Sequence, residues 1–326
     1  MTNKTLRASF LAALSLIVIS AGAAKADDHG HHMTADYAVK SAMADKALLL
    51  DVAELGSRLI AVGEFGHVLV SDNGGDDWAQ ATSVPTRNTL TSVFFIDNQT
   101  GYAVGHEATI LKTVDGGNNW TLQYNEPRGE TPLLGVYFTD AQNGIAVGGF
   151  SYVFKTANSG ESWEQVTLIE DSYDDFHLND LFTDARGNMY IPAEFGTVYK
   201  SVDRGNSWEA ITTPYDGSFW GGFSLANGDL IVFGMRGNVF TSSDQGKNWR
   251  KAESEADQSL TGGLQLPDGR IVLTGLSGIV LVSTDNGKSF SGGTRPDRLS
   301  FATAARGKDD TVLLLGDPGI KSHKLN

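Results

Sequence analysis

An octapeptide of the form Ser/Thr-x-Asp-x-Gly-x-x-Trp returns six times along the 326 residues and constrains the fold more than any other feature. The copies are Ser71 to Trp78, Thr113 to Trp120, Thr156 to Trp163, Ser201 to Trp208, Ser242 to Trp249 and Ser283 to Phe290. Asn158 stands for the Asp in the third copy, and Phe290 for the Trp in the sixth. Each residue type has a local task. The carboxylate accepts backbone N–H groups of its own turn, the Gly takes the left-handed backbone that closes a hairpin, and the aromatic buries a large apolar face against the sheet. An Asn oxygen is also an acceptor, so Asn158 makes much the same turn.

A second string keeps register with the first. Fifteen residues before each box aromatic stands a small residue: Gly63, Gly105, Gly148, Ala193, Gly234 or Gly275. Alternating aliphatics on both sides of it predict two strands joined by a tight loop. The string returns once more around Gly316 without an octapeptide, so the unit occurs seven times, at periods of 41 to 45 residues. Each unit supplies four strands, in the second unit roughly 90–96, 101–105, 109–113 and 120–124. This period and strand count predict an all-β fold, a seven-bladed β-propeller of four-stranded blades with Asp-box hairpins. The seventh unit lacks its outer strand. Tyr37 to Ala42 is placed to supply it and close the ring, although residues 34–46 also read as a short helix.

Composition agrees with this architecture and removes several functions. Glycine is plentiful at 38 and proline scarce at 8, which suits short strands and tight turns. Acidic residues outnumber basic ones, 39 to 25, and such a surface repels nucleic acid and anionic lipid headgroups. With no cysteine there is no disulfide, thiolate metal site, cysteine nucleophile or lipoprotein anchor. Residues 1–26 read as a secretory signal peptide, with Lys4 and Arg7 before a short apolar run and Ala24-Lys25-Ala26 as the cleavage site. A retained membrane anchor is the competing reading, and the shortness of the run argues against it. Removing Lys4, Arg7 and Lys25 from the 25 basic residues leaves 22 against 39 acidic. The expected organisation is a signal peptide cleaved after Ala26, a flexible His/Asp-rich tail over 27–36, and a periplasmic propeller over 37–326.

Asp boxes at this period resemble the BNR-repeat superfamily, which includes sialidases, sortilin-type receptors and photosystem II assembly factors. The strings VGxxGxxxxTxDGGxxW behind a signal peptide look most like the photosystem II stability/assembly factor family, over residues 48–323. That resemblance implies a seven-bladed lumenal propeller without enzymatic activity, which binds a newly made reaction-centre protein. In non-photosynthetic bacteria it implies the scaffold and not that client. Photosynthetic members bind their client through an arginine-rich patch, whereas the arginines here are few and scattered.

The enzymatic alternative is a sialidase-like glycoside hydrolase, which needs three converging arginines, a Tyr/Glu pair and an acid. The Arg-Ile-Pro motif of that family is missing, its fold has six blades, and Arg58, Arg186 and Arg270 read as surface turn residues. No catalytic residue and no cofactor is assigned. His29, His31 and His32 beside Asp27 and Asp28 are either a divalent-metal chelator or a solvated tail, and the tail is preferred, so no metal site is assigned. The octapeptide acids sit on separate blades, too dispersed for one calcium cage. The face opposite the octapeptides is the expected partner surface. It gathers Phe65, His67, His106, Tyr152, Phe195 and Arg236 from the loops between second and third strands. Loops joining successive blades add Arg87, Arg128, Tyr173, Tyr215 and Trp220. Aromatics mixed with Arg and acids are the composition of a recognition surface for a membrane or exported protein, bound by a monomeric propeller. Phe65, Phe150 and Phe195 either plug the central channel or pack between blades, or they contact the partner. The sequence leaves these readings open.

Overall fold

The computed structural model describes residues 36–170 and 175–325. The predicted signal peptide, the His29 to His32 tract and Tyr173 lie outside these residues. Seven consecutive antiparallel sheets follow one another along the chain, six of four strands and one of three. Their first, innermost strands are Leu49–Leu55, Leu90–Phe95, Leu133–Phe138, Phe182–Thr183, Phe219–Ser224, Leu260–Gln265 and Phe301–Arg306. In every blade the second strand is buried at nearly all positions, as at Gly101–Gly105 and Leu230–Gly234. Those strands lie between two neighbouring blades, which is why they read as unbroken apolar runs.

The core is therefore divided among the seams between blades. Phe182, Tyr190 and Val198 of blade 4 meet Phe219, Leu230 and Val232 of blade 5 in one such seam. Blade 7 meets blade 1 in the same way, through Ala305, Leu313 and Leu315 against Leu49, Leu59 and Leu69. This seam closes the ring, and Arg306 pairing with Glu54 and Lys308 with Asp76 reinforce it.

The expected closing strand is not there. Tyr37 to Ala42 has no strand conformation, and blade 7 is the three-stranded sheet Phe301–Arg306, Thr311–Gly316 and Gly319–Lys324. The segment lies instead beside the outer strand of blade 1, which is only Ala79–Gln80. Ala38 N–H donates to Val84 O at 2.9 Å, Ser41 N–H to Gln80 Oε1 at 3.0 Å, and Lys40 Nζ to Gln80 O at 2.9 Å. An outer strand of two residues leaves backbone groups uncovered, and this segment finds its partners there. A single 3-10 turn, Ala44–Lys46, then brings the chain against Gly319 of blade 7.

Two repeated positions explain the sequence pattern. A Cβ on Gly63, Gly105, Gly148, Gly234, Gly275 or Gly316 would lie between 2.0 and 2.4 Å from the carbonyl oxygen that leads into the inner strand. The glycine is demanded by close backbone approach. Blade 4, whose inner strand is reduced to Phe182–Thr183, carries Ala193 instead. In the octapeptides the first residue works as hard as the third. Thr113 Oγ1 donates to Asp115 Oδ1 at 2.9 Å and accepts Gly117 N–H at 3.1 Å, and Asp115 Oδ1 accepts Asn119 N–H at 2.9 Å. Trp120, 3% exposed, closes the turn by donating from Nε1 to Gly117 O at 2.9 Å. Asn73 takes the acceptor position in the first copy, bonding Asp77 N–H at 3.0 Å, so two copies use Asn and not only the third. Hydrogen bonds from the Ser207 and Asn248 side chains hold Asp203 and Asp244 down to about 2.

Candidate partner-docking face

The end opposite the octapeptides is built from seven short turns between second and third strands. In six of them the first N–H is clamped to the segment leading into the inner strand, as where Glu64 N–H donates to Leu48 O at 3.0 Å, Gly149 N–H to Pro132 O at 3.0 Å, and Met235 N–H to Ser218 O at 3.1 Å. The turns are thus rigid. In six of the seven turns the two central residues are left-handed, and the first of them is never glycine: Phe65, Glu107, Phe150, Phe195, Arg236 and Ser277, with φ between 52° and 57°. Two successive left-handed residues make the primed hairpin turn that suits the twist of the flanking strands. A bulky residue there costs on the order of 1–2 kcal/mol.

Three of these positions hold phenylalanine with its ring in solvent. Phe65 is 60%, Phe150 51% and Phe195 63% exposed. They do not plug the channel. Phe150 and Phe195 also pack between blades 3 and 4, with Phe150 against His177 at 4.8 Å and Phe195 against Phe176 at 5.2 Å between ring centroids. Glu194 fixes the centre of that cluster. Its Oε2 accepts His177 N–H at 2.9 Å and lies 3.2 Å from His177 Nδ1.

The remaining residues expected on this face divide into two sets. His106, Arg87, Arg128 and Arg236 are exposed, and Arg87 also pairs with Asp36 at 3.2 Å. His67 is only 5% exposed, with Nδ1 unbonded, and burial pushes its pKa down while Glu64 opposes the fall. It supports the Phe65 ring edge-on at 5.9 Å and is not itself a contact residue. Tyr215 is held by its own blade, with its ring against Phe219 and Phe240 and its hydroxyl donating to Met235 O at 3.2 Å. Tyr152 is half-buried against Phe154. Phe219, beneath Tyr215, is fully buried in the blade 5 inner strand.

Trp220 is also in that strand rather than on a loop. The inner strands of every blade but the fourth slip register at their second residue, and Trp220 is that residue in blade 5. The slip turns it into the central channel, a cavity of about 220 Å³ lined from all seven blades. Asp51 and Asp180 also line it. Asp51 accepts Val52 N–H and, from blade 2, Val93 N–H, both at 2.8 Å. Asp180 accepts Leu181 N–H at 2.7 Å and, from blade 5, Gly222 N–H at 3.2 Å. Burial pushes the Asp180 carboxyl up to about 7, with the Asp51 charge adding to the rise, and burial raises Asp51 as well. Thr261 Oγ1 reaches Phe301 O of the next blade at 2.6 Å in the same manner. These side chains tie adjacent inner strands together. The Asp pair was missed because only the folded ring brings residues 51 and 180 to one channel.

The arginines do not converge. Arg58 pairs with Asp72 and donates to Gly116 O at 2.9 Å in the adjoining blade. Arg270 pairs with Asp268 at 2.7 Å and with Asp310, and Arg186 is exposed in a turn of blade 4. A sialidase carboxylate clamp is therefore not formed by these three. Among the described residues no group of three or more His, Asp or Glu side chains could hold a metal ion.

Seven radial sheets locked by repeated octapeptide hairpins define a β-propeller of the BNR type. The chain belongs to the photosynthesis system II assembly factor YCF48 family, whose model matches residues 75–262, more than half of the sequence. Among solved structures it resembles YCF48 bound to D1 peptide, at 19% identity and a TM-score of 0.69, over 90% of this chain and 98% of that one. YCF48 from Cyanidioschyzon merolae matches at 16% identity and 0.65, over 88% and 98%. A streptogramin B lyase shares the fold at 0.72 with 11% identity, over 89% and 97%, so the scaffold alone does not decide between binding and catalysis. No curated protein matches the sequence.

Proposed function

We propose that this chain is an exported, non-enzymatic, monomeric propeller that binds a protein partner at the face opposite its octapeptides and assists assembly of a membrane or envelope complex. One observation carries the reading. Phe65, Phe150 and Phe195 occupy strained left-handed positions where glycine would be cheaper, and all three show their rings to solvent. Unfavourable backbone retained around exposed aromatics is the mark of a surface kept for recognition. Membership of the assembly-factor family supports a binding role, as does the D1 peptide held by a relative of the same fold. The basic start, apolar run and Ala24-Lys25-Ala26 site support export to the periplasm after cleavage behind Ala26. The channel carboxylates do not favour hydrolysis, because each is engaged with backbone N–H groups of two adjacent strands.

The test is partner capture in the exporting cell by tagged wild type and by a Phe65→Gly, Phe150→Gly, Phe195→Gly variant. Loss of a specific captured membrane or exported protein, with the fold intact, is the expected result. Undiminished capture would rule this face out.

A further inference from the structure

The outer edge of blade 6 differs from those of blades 2, 3 and 4. In blades 2, 3 and 4 the outer strand sends Leu122, Val166 or Ile211 down onto the seam beneath it. Blade 6 offers Ser291–Thr294, Ser-Gly-Gly-Thr, exposed at every position. With no large side chains on that strand, a groove runs along each face of the blade beside the third strand, Ile279–Ser283, whose own residues are buried except for the half-buried Val282. One, of about 620 Å³, has Ile279, Leu281 and Phe290 at its base and Glu253, Glu255 and Asp257 among its wall residues. The other, of about 470 Å³, is lined by Val280, Val282, Pro296 and Leu325. Its Arg295 is already paired with Asp297 at 2.6 Å and bonded to His323 Nδ1 at 2.8 Å.

We propose that this edge accepts an extended segment of a partner protein in which basic and aliphatic residues alternate. A strand added to an exposed sheet edge gains main-chain hydrogen bonds and places successive side chains on opposite faces. The two faces here are chemically different. Glu253, Glu255 and Asp257 recur at every second residue, are exposed, and form no ion pair among the described residues. They match cations borne by every second residue of a strand. The opposite groove matches the aliphatic residues between them. In an acidic chain a segment of this sequence cannot be drawn from the outer strands of a second copy, whose basic residues do not alternate with aliphatics.

Position 293 provides the test. A Cβ built on Gly293 meets nothing within 4 Å, and its strand partner is Val280, so a larger side chain enters the 470 Å³ groove without disturbing the blade. The probe is a fluorescent peptide of about seven residues, the length of an ordinary strand, alternating Lys and Val. Its binding is measured by anisotropy at physiological ionic strength. A block peptide of the same composition and an alternating Glu–Val peptide serve as comparisons. The alternating Lys–Val peptide is expected to bind best, and both Gly293→Trp and Glu255→Lys with Asp257→Lys should weaken it at least about tenfold, more than most single interface truncations do. Melting temperature should be kept, and the Phe65, Phe150 and Phe195 variant should bind the probe as wild type does. Equal binding of the block peptide would reduce the effect to bulk charge and overturn the proposal. So would unaltered binding by Gly293→Trp, or tighter binding of the Glu–Val peptide.

Discussion

The two ends of each blade use left-handed backbone for opposite purposes. At the octapeptide end the left-handed residues are glycine or polar, such as Gly116, Gly117, Ser159, Asn286, Arg204 and Gln245. Around them the Ser/Thr hydroxyl and the Asp or Asn side chain satisfy the turn, and the aromatic seals it. At the other end the same backbone region holds Phe65, Phe150 and Phe195, and no repeated side-chain lock explains them. The first end is built to hold the blades, and the second to present side chains. Geometry repeated with a consistent lock is structural, whereas geometry repeated with costly, varied and exposed residues points to recognition.

That contrast can be broken by substitution. Trp120→Ala, at the locked end, should destabilise by roughly 3–5 kcal/mol, the usual cost of emptying a buried Trp site, read from urea unfolding. Thr113→Val keeps the shape of the side chain but removes the hydroxyl shared by Asp115 and Gly117. A loss of about 1–2 kcal/mol is expected from the two lost bonds. Replacing Phe65, Phe150 and Phe195 by Gly should do the reverse. Relief of left-handed strain, about 1–2 kcal/mol per site, exceeds the about 0.5–1 kcal/mol entropic cost of glycine, so the melting temperature should hold or rise while capture is lost. A fall in melting temperature as large as that of Trp120→Ala would erase the distinction between the two ends.

The channel supplies a smaller, pH-dependent effect. Asp180 titrates near 7 in the folded protein, far above its unfolded value, so the folded state favours the protonated form. Its stabilising contribution is complete at low pH and is lost as pH rises through about 7. Asp180→Asn removes that titration. Its melting temperature relative to wild type should therefore climb between pH 5 and pH 8, and a pH-independent difference would show that Asp180 is ionised throughout.

Much of this architecture is legible in the sequence because the repeat is local. The blade count follows from the string around Gly63 and its six successors, and the glycine there answers to a contact made afresh in six of the seven blades. The octapeptide turn likewise depends on residues within one hairpin. What stays hidden depends on distant partners. Tyr37 to Ala42 has a strand-like composition, but its fate is decided by the short outer strand at Ala79–Gln80. Trp220 follows a loop-like Tyr-Asp-Gly-Ser stretch, and only the register slip at the start of the inner strand turns it into the channel. His67 looks like an exposed turn residue, yet the turn ahead of it carries Phe65 outward and leaves the imidazole beneath. For Phe65, Phe150 and Phe195, the sign of φ decides between plugging the channel and facing solvent. Composition carries no trace of that sign.

The two ends also offer a matched control. Val114 and Val202 at the octapeptide end are 66% and 68% exposed, as open to solvent as the phenylalanines opposite. A photo-crosslinking residue placed in the exporting cell at 65, 150 or 195, and separately at 114 or 202, compares them directly. The account predicts one discrete protein adduct from the first set and none from the second. The same adduct from both ends, or from 114 and 202 alone, would contradict it.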